Sequence, residues 1–352
     1  MLGPVGVIAR YRRFLPFDKD GPQFTIGEGS TPLVQAPVLE AHTGIRQVWL
    51  KLEGCNPTGS FKDRGMVVAV AKALESGTHT LICASTGNTS ASAAAFGARA
   101  GIRTVCLVPH GSTATSKLAQ TLMFGALVVA IQGTFDEALV IVRELAQRDG
   151  VTLVNSVNPY RLEGQKTASF EIVDALAGAP DEIYIPVGNA GNISAYWRGF
   201  VEYKQDGKAT HTPVMRGFQA EGAAPIVRGH PIKEPVTNAS AIRIGNPANW
   251  QQAIAARDES GGSIEAVPER MIFDVHRMLA REMGIFVEPA SAASVAGLLQ
   301  RHNGSSPCKD RVVCVLTGSG LKDPVSARPH TNDPVIVEPR LDAILKVLEW
   351  QR

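Results

Sequence analysis

Short apolar runs alternate with longer stretches of helical periodicity from about residue 60 to residue 340. Most of these runs are continuously apolar, as expected of parallel strands that are covered on both faces. The predicted strands are residues 80–84, 104–108, 127–131, 152–155, 183–187, 215–220 and 312–316. The predicted helices are residues 64–76, 89–100, 135–148, 162–176, 192–205, 268–283 and 290–300. Their alternation through short connections predicts an α/β protein with open, mostly parallel sheets flanked by helices.

Glycines mark several of the predicted helix ends. Gly77, Gly101 and Gly284 each follow a helical stretch at the position where a left-handed residue closes a helix. The segment 222–263 lacks a clear period and is rich in proline and glycine. We therefore expect this segment to be a long connection or an elaborated loop within the second domain.

Length, composition and charge argue against a disordered, a nucleic-acid-binding or a membrane-spanning protein. A chain of 352 residues predicts two or three domains, and 44% hydrophobic residues against 19% charged residues exclude wholesale disorder. With 35 basic and 33 acidic residues, the net charge of +2 gives no field that would attract nucleic acid or an anionic membrane. No apolar run approaches the ~20 residues that a membrane span requires.

The cysteines and the N-terminus indicate a cytoplasmic protein. The five cysteines form no CxxC pair, and several lie in or beside apolar runs, as reduced buried thiols do. The first basic residues follow an apolar patch, which is the reverse of their order in a signal peptide. The histidines show no paired spacing, so we expect no metal site.

The first candidate site is the sequence Asn-Pro-Thr-Gly-Ser-Phe-Lys-Asp-Arg-Gly-Met at 56–66, a turn that leads into a helix. Lys62 falls in the first turn of that helix, where the positive end of the helix dipole lowers the pKa of an ammonium group. An amine with a lowered pKa can act as a nucleophile. The alternative is an ordinary solvated lysine.

Two further segments place hydrogen-bond donors at the start of a helix. Residues 84–92, Ala-Ser-Thr-Gly-Asn-Thr-Ser-Ala-Ser, follow a strand and suit a carboxylate, unless Asn88 or Thr89 is only a helix cap. Residues 186–194 bring a glycine loop from a strand into a helix, and such a loop can approach a phosphate closely. Its spacing is not GxGxxG, so a single phosphate fits better than a dinucleotide; a plain turn is the alternative.

Two more segments also follow predicted strands. Asn155, Ser156 and Arg161 precede or begin a helix and form a candidate second anion pocket, unless Arg161 is a surface arginine. Thr317 ends the last strand and is followed by a glycine turn. Ligands gather at the carboxyl ends of strands in open α/β sheets, and all five segments fall there or just ahead of a helix.

Together these segments resemble those of the fold type II pyridoxal-phosphate enzymes, the tryptophan-synthase-β type, and within them the threonine synthases. The similarity extends from Gly-Glu-Gly-Ser-Thr-Pro-Leu at 27–33 to Thr-Gly-Ser-Gly-Leu-Lys-Asp at 317–323. The segment at 56–66, the Gly-Asn-Ala-Gly-Asn loop and the sequence NSVNPYRLEGQKT carry it. The resemblance implies two open sheets, a small domain of residues 56–155 inside a large domain of residues 1–55 and 156–352, and an active site in the interdomain cleft. It also implies a homodimer.

The resemblance assigns roles residue by residue. Lys62 would carry pyridoxal 5'-phosphate and act as the mobile base, Asn88 would reach the cofactor's ring hydroxyl oxygen, and Thr317 would contact its pyridine nitrogen. The cofactor phosphate would be held by Gly188, Asn189, Ala190, Gly191 and Asn192. The substrate α-carboxylate would be held by Ser85, Thr86, Asn88 and Thr89, and its phosphate by Asn155, Ser156 and Arg161. Lys117 is a further candidate for the phosphate, although the sequence just before it departs from the family pattern.

The implied reaction converts O-phospho-L-homoserine and water to L-threonine and phosphate. The alternatives are a threonine or serine dehydratase, a β-replacement enzyme, and a cofactor-binding relative without activity. Dehydratases need no second phosphate pocket, which argues against the first of these. A dinucleotide-dependent oxidoreductase would need GxGxxG and an acidic residue about 20 positions later, and the sequence lacks this pattern.

Overall fold

A computed structural model describes residues 6–18, 20–111, 116–302, 311–327 and 334–348, without the side chains at positions 116 and 117. None of the described helices combines the length and apolar character that a membrane span requires. The described cysteines, Cys55, Cys83, Cys106 and Cys314, are free thiols. Cys308 lies outside the described residues.

The described strands form two separate sheets. They are β1 Leu33–Gln35, β2 Gln47–Leu52, β3 Thr80–Ala84, β4 Arg103–Pro109, β5 Leu127–Ile131, β6 Val151–Leu153, β7 Glu182–Pro186, β8 Val214–Ala220, β9 Ser263–Val267 and β10 Arg311–Leu316. The larger sheet has the order β1-β2-β10-β7-β8-β9 and the smaller one β5-β4-β3-β6. Every pairing is parallel except that of β1 with β2. The predicted α/β class with two open, mostly parallel sheets is confirmed.

Helices cover both sheets. They are α1 Val7–Tyr11, α2 Pro37–Thr43, α3 Lys62–Glu75, α4 Asn88–Ala100, α5 Ser116–Met123, α6 Phe135–Leu145, α7 Pro159–Gln165, α8 Thr167–Leu176, α9 Gly191–Gln205, α10 Pro225–Arg228, α11 Trp250–Glu259, α12 Glu269–Met283, α13 Pro289–Arg301, α14 Pro324–Ala327 and α15 Leu341–Val347. Each of the seven predicted strands and seven predicted helices has a counterpart among these elements.

Two predictions about secondary structure were wrong, and three strands were not predicted. The helix predicted over 162–176 is divided at Lys166 into α7 and α8, and at this junction the Thr167 hydroxyl donates to the Gly164 carbonyl at 2.6 Å. The segment 222–263 is not only a connection, since it contains α10, α11 and the first residue of β9. The strands β1, β2 and β9 went unpredicted because they are short or carry polar residues.

Strand β10 shows how the core is built. Val313 and Val315 face one apolar cluster, while Val312, Cys314 and Leu316 face the other. This alternation follows from the two-residue period of a strand. All five side chains are buried, and each valine or leucine contributes about 1.5–3 kcal/mol by leaving water. A central strand of this kind fixes the loop that follows it, which belongs to the site.

Helices α3 and α7 cross at two glycines. A Cβ at Gly65 would lie 2.5 Å from the Arg161 carbonyl oxygen, and one at Gly164 would lie 1.9 Å from the Arg64 carbonyl oxygen. Only glycine permits so close an approach of two backbones. The crossing brings the first turns of the two helices together, and these turns carry Lys62 and Arg161.

A buried charge network secures the start of α3. Arg64 donates to Glu53 at 2.7 Å and to Glu171 at 2.6 Å, and Lys51 donates to Glu171 at 2.7 Å. Burial alone would raise the pKa of Glu171, but the charges of Arg64 and Lys51 outweigh it and lower that pKa. Glu53 precedes α3 and Glu171 lies in α8, so the network joins the segment ahead of α3 to α8.

The domain boundaries at 56–155 remain a prediction. The smaller sheet draws its strands from residues 80–153, and the larger sheet draws its strands from both sides of that range. This membership is consistent with a small domain inserted in a larger one.

Candidate active site

The candidate residues lie where parallel strands end and helices begin. Strands β3, β6, β7 and β10 end just before the segments with Ser85, Asn155, Gly188 and Thr317, respectively. The loop ahead of α3 is tied to the end of β10, because the Phe61 amide donates to the Thr317 carbonyl at 3.0 Å. The structure thus brings the segment with Lys62 to the segment with Thr317.

Lys62 is the first residue of α3 and is not an ordinary surface lysine. Loss of water around its amine lowers the pKa of Lys62 to about 7. The positive charge of Arg161 acts in the same direction, and the negative charge of Glu288 opposes it. A large fraction of the amine is therefore neutral near pH 7 and able to act as a nucleophile or a base.

Asp63 shapes the turn that presents Lys62. Its buried carboxylate accepts hydrogen bonds from the Thr58 amide at 2.7 Å, from the Thr58 hydroxyl at 2.6 Å and from the Ser92 hydroxyl at 2.7 Å. Burial raises the pKa of Asp63 to about 6. The contacts tie the turn to α4, so Asp63 holds the two helix starts in a fixed relation. The sequence analysis did not single out this residue.

Arg161 is a buried cation with unused donors. It is 1% exposed, so the alternative of a surface arginine is wrong. Its Nη1 donates to the Val154 carbonyl at 3.3 Å, while Nε and Nη2 have no partner among the described residues. Burial lowers the pKa of Arg161 to about 10, which still leaves it charged at neutral pH. A buried guanidinium with two unpaired nitrogens suits an anionic ligand.

The start of α4 has no side-chain cap. The residue ahead of the helix is Gly87, and Asn88 and Thr89 lie inside the first turn, so the alternative in which either one caps the helix is wrong. The first amide groups of a helix lack partners within it, and its dipole attracts anions. Ser85 and Thr86 are partly exposed just ahead of this end. The arrangement can receive a carboxylate.

The Asn155 amide is engaged with the backbone. Its Oδ1 accepts from the Ala84 amide and its Nδ2 donates to the Ala84 carbonyl, both at 2.9 Å. These bonds hold the end of β3, so Asn155 sets the position of the Ser85 segment. Ser156 lies beside it, and its carbonyl accepts from the Asn249 Nδ2 at 3.3 Å.

The glycine loop leads into the start of α9 and has features that suit a phosphate. Ala190 adopts a left-handed conformation with φ of 66°, which is uncommon outside glycine and typical of functional sites. A Cβ at Gly188 would lie 3.2 Å from the Ala241 carbonyl oxygen, so the loop packs closely on the chain. Both polar atoms of the buried Asn192 amide lack a partner among the described residues. Together with the helix start, they can hold a phosphate.

Thr317 and Asn88 each contact a residue at the start of α13. The Thr317 hydroxyl shares a hydrogen bond of 2.9 Å with the Ser291 hydroxyl. The Asn88 Nδ2 lies 3.1 Å from both carboxylate oxygens of Glu288, while Asn88 Oδ1 is buried without a partner in the described chain. Lys117 falls in α5, but its side chain lies outside the described atoms.

The sequence analysis missed Glu288, Ser291 and Asn249. Asn249 donates its amide to the Asn189 carbonyl at 3.3 Å and so ties the glycine loop to the segment at 222–263. Glu288 directly precedes a helix of small residues, a position that could have been singled out as the start of α13. Among the described residues, no group of histidine, cysteine, aspartate or glutamate side chains is arranged to bind a metal ion.

Comparison with known proteins identifies the family. A model of the pyridoxal-phosphate dependent enzymes matches residues 24–318. The chain is 56% identical to a threonine synthase of Halalkalibacterium halodurans over 323 residues, which cover 92% of this chain and 91% of the relative. It is 51% identical to that of Mycobacterium tuberculosis over 345 residues (96% of each chain) and 47% identical to that of Methanocaldococcus jannaschii over 350 residues (97% and 86%).

Solved structures support the same fold. An O-ureido-L-serine synthase superimposes with a TM-score of 0.74 at 22% identity, covering 94% of this chain and 100% of that one. A fungal L-serine ammonia-lyase from Rhizomucor miehei gives a TM-score of 0.73 at 22% identity, covering 86% and 97%.

The residues present fit pyridoxal phosphate. Within the described part of the chain are an amine with a pKa of about 7, a helix start with the unpaired buried amide of Asn192 for a phosphate, and the unpaired buried oxygen of Asn88. The amine suits the aldehyde of pyridoxal phosphate, the helix start suits its phosphate, and the Asn88 oxygen suits its polar ring. The site and the relatives agree, and the chain belongs to the pyridoxal-phosphate-dependent enzymes and, within them, to the threonine synthase family.

Proposed function

We propose that the protein converts O-phospho-L-homoserine and water to L-threonine and phosphate. The observation that carries the proposal is that two nitrogens of the buried Arg161 guanidinium have no partner among the described residues, and Arg161 lies in α7, outside the glycine loop. An enzyme that acts on an unphosphorylated amino acid needs one phosphate site, for the cofactor. A second site is required only when the substrate also carries a phosphate.

Two groups of residues would bind the cofactor and the substrate carboxylate. We assign the cofactor phosphate to the loop at 188–192, the cofactor's ring hydroxyl oxygen to Asn88 and its pyridine nitrogen to Thr317. The start of α4, with Ser85, Thr86 and Thr89, would bind the substrate carboxylate. When bound, pyridoxal phosphate withdraws electrons from the α-carbon of an amino acid.

Lys62 and Arg161 would supply the chain's own chemistry. The Lys62 amine, half-neutral near pH 7, would bind the cofactor and then take the proton from the substrate α-carbon. Arg161, with Ser156 and Lys117, would bind the substrate phosphate and stabilise it as it leaves. Asn155 would act as a positioning residue, since both ends of its amide are bonded to Ala84. The hydroxyl of Thr317 is neutral, so it would leave the pyridine nitrogen unprotonated.

We further propose that the protein works as a homodimer in the cytoplasm. The family resemblance supports the dimer, and the cysteine usage supports a reducing compartment. Cys83 and Cys106 are in line with this, since their sulfur atoms lie 3.5 Å apart as free thiols. Sedimentation velocity of the purified protein tests the dimer, and a single monomeric species would contradict it.

A substrate panel tests the activity. The holoenzyme is given O-phospho-L-homoserine, L-threonine and L-serine separately, and we expect turnover of the phosphorylated substrate alone. Comparable formation of 2-oxo acids from threonine or serine would instead favour the dehydratase alternative. Lys62→Ala is the matched variant: it should lose both the visible absorption of the lysine-bound cofactor and all turnover. Turnover that survives in Lys62→Ala would remove Lys62 from its proposed role.

A further inference from the structure

Glu288 is held rigidly between the start of α13 and the end of β10. It is 2% exposed, and its amide donates to the Gly318 carbonyl at 3.0 Å. A Cβ at Gly318 would lie only 2.4 Å from Glu288 Oε1, so the carboxylate packs directly on the glycine backbone. The Ser291 amide donates to the Glu288 carbonyl at 2.9 Å, which completes the first turn. The Glu288 backbone is therefore anchored at both sides, and its carboxylate is confined by the backbone of Gly318.

That position determines how the Asn88 side chain faces. The Asn88 Nδ2 lies 3.1 Å from both oxygens of the Glu288 carboxylate. A carboxylate accepts hydrogen bonds and cannot donate them, so it selects the nitrogen of the amide over the oxygen. The Asn88 Oδ1 then faces away from Glu288, buried and without a partner among the described residues. An amide free of this contact could turn over, because its two ends have nearly the same shape.

Glu288 also contributes to the charge around Lys62. Among the described residues, Arg161 from α7 and Glu288 from the start of α13 are the charged groups that shift the pKa of Lys62, and they act in opposite directions. Removing the negative charge would leave the positive one unopposed. The amine would then lose its proton more readily.

From these contacts we infer that Glu288 is a positioning residue, which fixes the orientation of the Asn88 amide toward the cofactor. The inference rests on the proposed role of Asn88 in the site. A buried carboxylate with only a structural role would stabilise the fold without acting through Asn88. The two cases differ in whether the effects of changing Glu288 and Asn88 are independent.

A double-mutant cycle separates these cases. The dissociation constant of pyridoxal phosphate is measured for the wild-type chain, Glu288→Gln, Asn88→Ala and the double variant after cofactor removal. We expect Glu288→Gln to weaken binding roughly tenfold, the usual effect of losing a charged hydrogen-bond partner. In the Asn88→Ala background the same change should weaken it less than about twofold, because coupled residues are not additive. Equal effects in both backgrounds would overturn the inference.

A pH titration gives a second readout. The visible absorption of the bound cofactor is followed against pH, and its midpoint should fall by about one unit in Glu288→Gln, because a nearby negative charge favours the protonated form. Glu288→Asp keeps the negative charge, but its shorter side chain no longer reaches the Asn88 amide. The titration midpoint of this variant should therefore stay near that of the wild type, while its affinity for the cofactor falls. An unchanged midpoint in Glu288→Gln would contradict the account, as would unchanged affinity in Glu288→Asp.

Two controls keep the result interpretable. Glu282→Gln removes an exposed carboxylate from the end of α12 and should change neither readout. If Glu288→Gln fails to fold, Glu288→Asp still tests the affinity. A wild-type chain that bound the cofactor but did not turn over O-phospho-L-homoserine would refute the proposed function and leave the cycle valid. Normal turnover with additive effects would refute only the role of Glu288.

Discussion

Replacing Arg161 by methionine would remove a buried cation while keeping most of the side-chain volume. Within the described structure, two nitrogens of its guanidinium lack partners, and the third makes one bond of 3.3 Å. Each unsatisfied buried group costs about 1–3 kcal/mol. Methionine has no buried nitrogen that needs a hydrogen-bond partner, so the variant does not incur this penalty. Its thioether side chain can fill the space of the arginine stem. Without phosphate we therefore expect Arg161→Met to unfold with about 1–3 kcal/mol more free energy than the wild type.

The same substitution should strongly reduce the stabilisation of the fold by phosphate. Losing a buried charge partner costs about 2–5 kcal/mol of binding, so phosphate should bind about 30- to 4,000-fold more weakly. A ligand at 100 times its dissociation constant stabilises a protein by about 2.7 kcal/mol. At that concentration a variant with about 30-fold weaker binding would still gain about 0.9 kcal/mol, and one with about 4,000-fold weaker binding almost nothing. Inorganic phosphate should therefore stabilise the wild-type holoenzyme, whose cofactor phosphate site is filled, by about 2 kcal/mol more than the variant holoenzyme.

The assay is denaturant unfolding of both holoenzymes with and without phosphate. Arg270→Met, which removes an exposed arginine from α12, is the control and should match the wild type in both conditions. A methionine variant that is less stable than the wild type without phosphate would refute the assignment of an unsatisfied cation. Equal stabilisation of wild type and variant by phosphate would refute the phosphate site.

Three further predictions follow from the α3–α7 contact and from the buried charges. Gly164→Ala should destabilise the fold by about 1–3 kcal/mol, since its Cβ would lie 1.9 Å from the Arg64 carbonyl oxygen; an unchanged urea midpoint would show that the backbones are not in contact. Glu171→Gln should lower the free energy of unfolding by about 3–5 kcal/mol, because Arg64 and Lys51 each lose a buried negative partner. A loss below about 1 kcal/mol would show that these ion pairs are exposed to solvent. The Lys62 pKa is lowered from 10.5 to about 7, so the amine is neutral above about pH 7. Its acylation in the apoenzyme should rise with a midpoint near pH 7, and a midpoint near that of free lysine would contradict the effect of burial.

The sequence predicted the elements whose signal is local. Strands 80–84 and 127–131 agree with β3 and β5 at both ends, because each is a short apolar run bounded by polar or turn residues. The place of Lys62 in the first turn of α3 followed from the turn sequence ahead of it. The ligand edge of the sheets was predictable too, since it depends only on strands being parallel.

The sequence did not predict features that depend on distant contacts. Strand β9 alternates weakly and exists because it pairs with β8 at the sheet edge. Glu288 and Asn249 join the site through contacts with residues 200 and 60 positions away, respectively. The positioning role of Asn155 was not predictable, because its side chain bonds the backbone of Ala84 and backbone groups are the same at every residue.

The most direct test of the central claim is the stoichiometry of the products. Holoenzyme is incubated with O-phospho-L-homoserine, and threonine, 2-oxo acid and free phosphate are all quantified. The account predicts one threonine for each phosphate released and no 2-oxo acid. Phosphate released with 2-oxo acid in place of threonine would contradict controlled addition of water, and no phosphate release from cofactor-loaded protein would contradict the substrate itself.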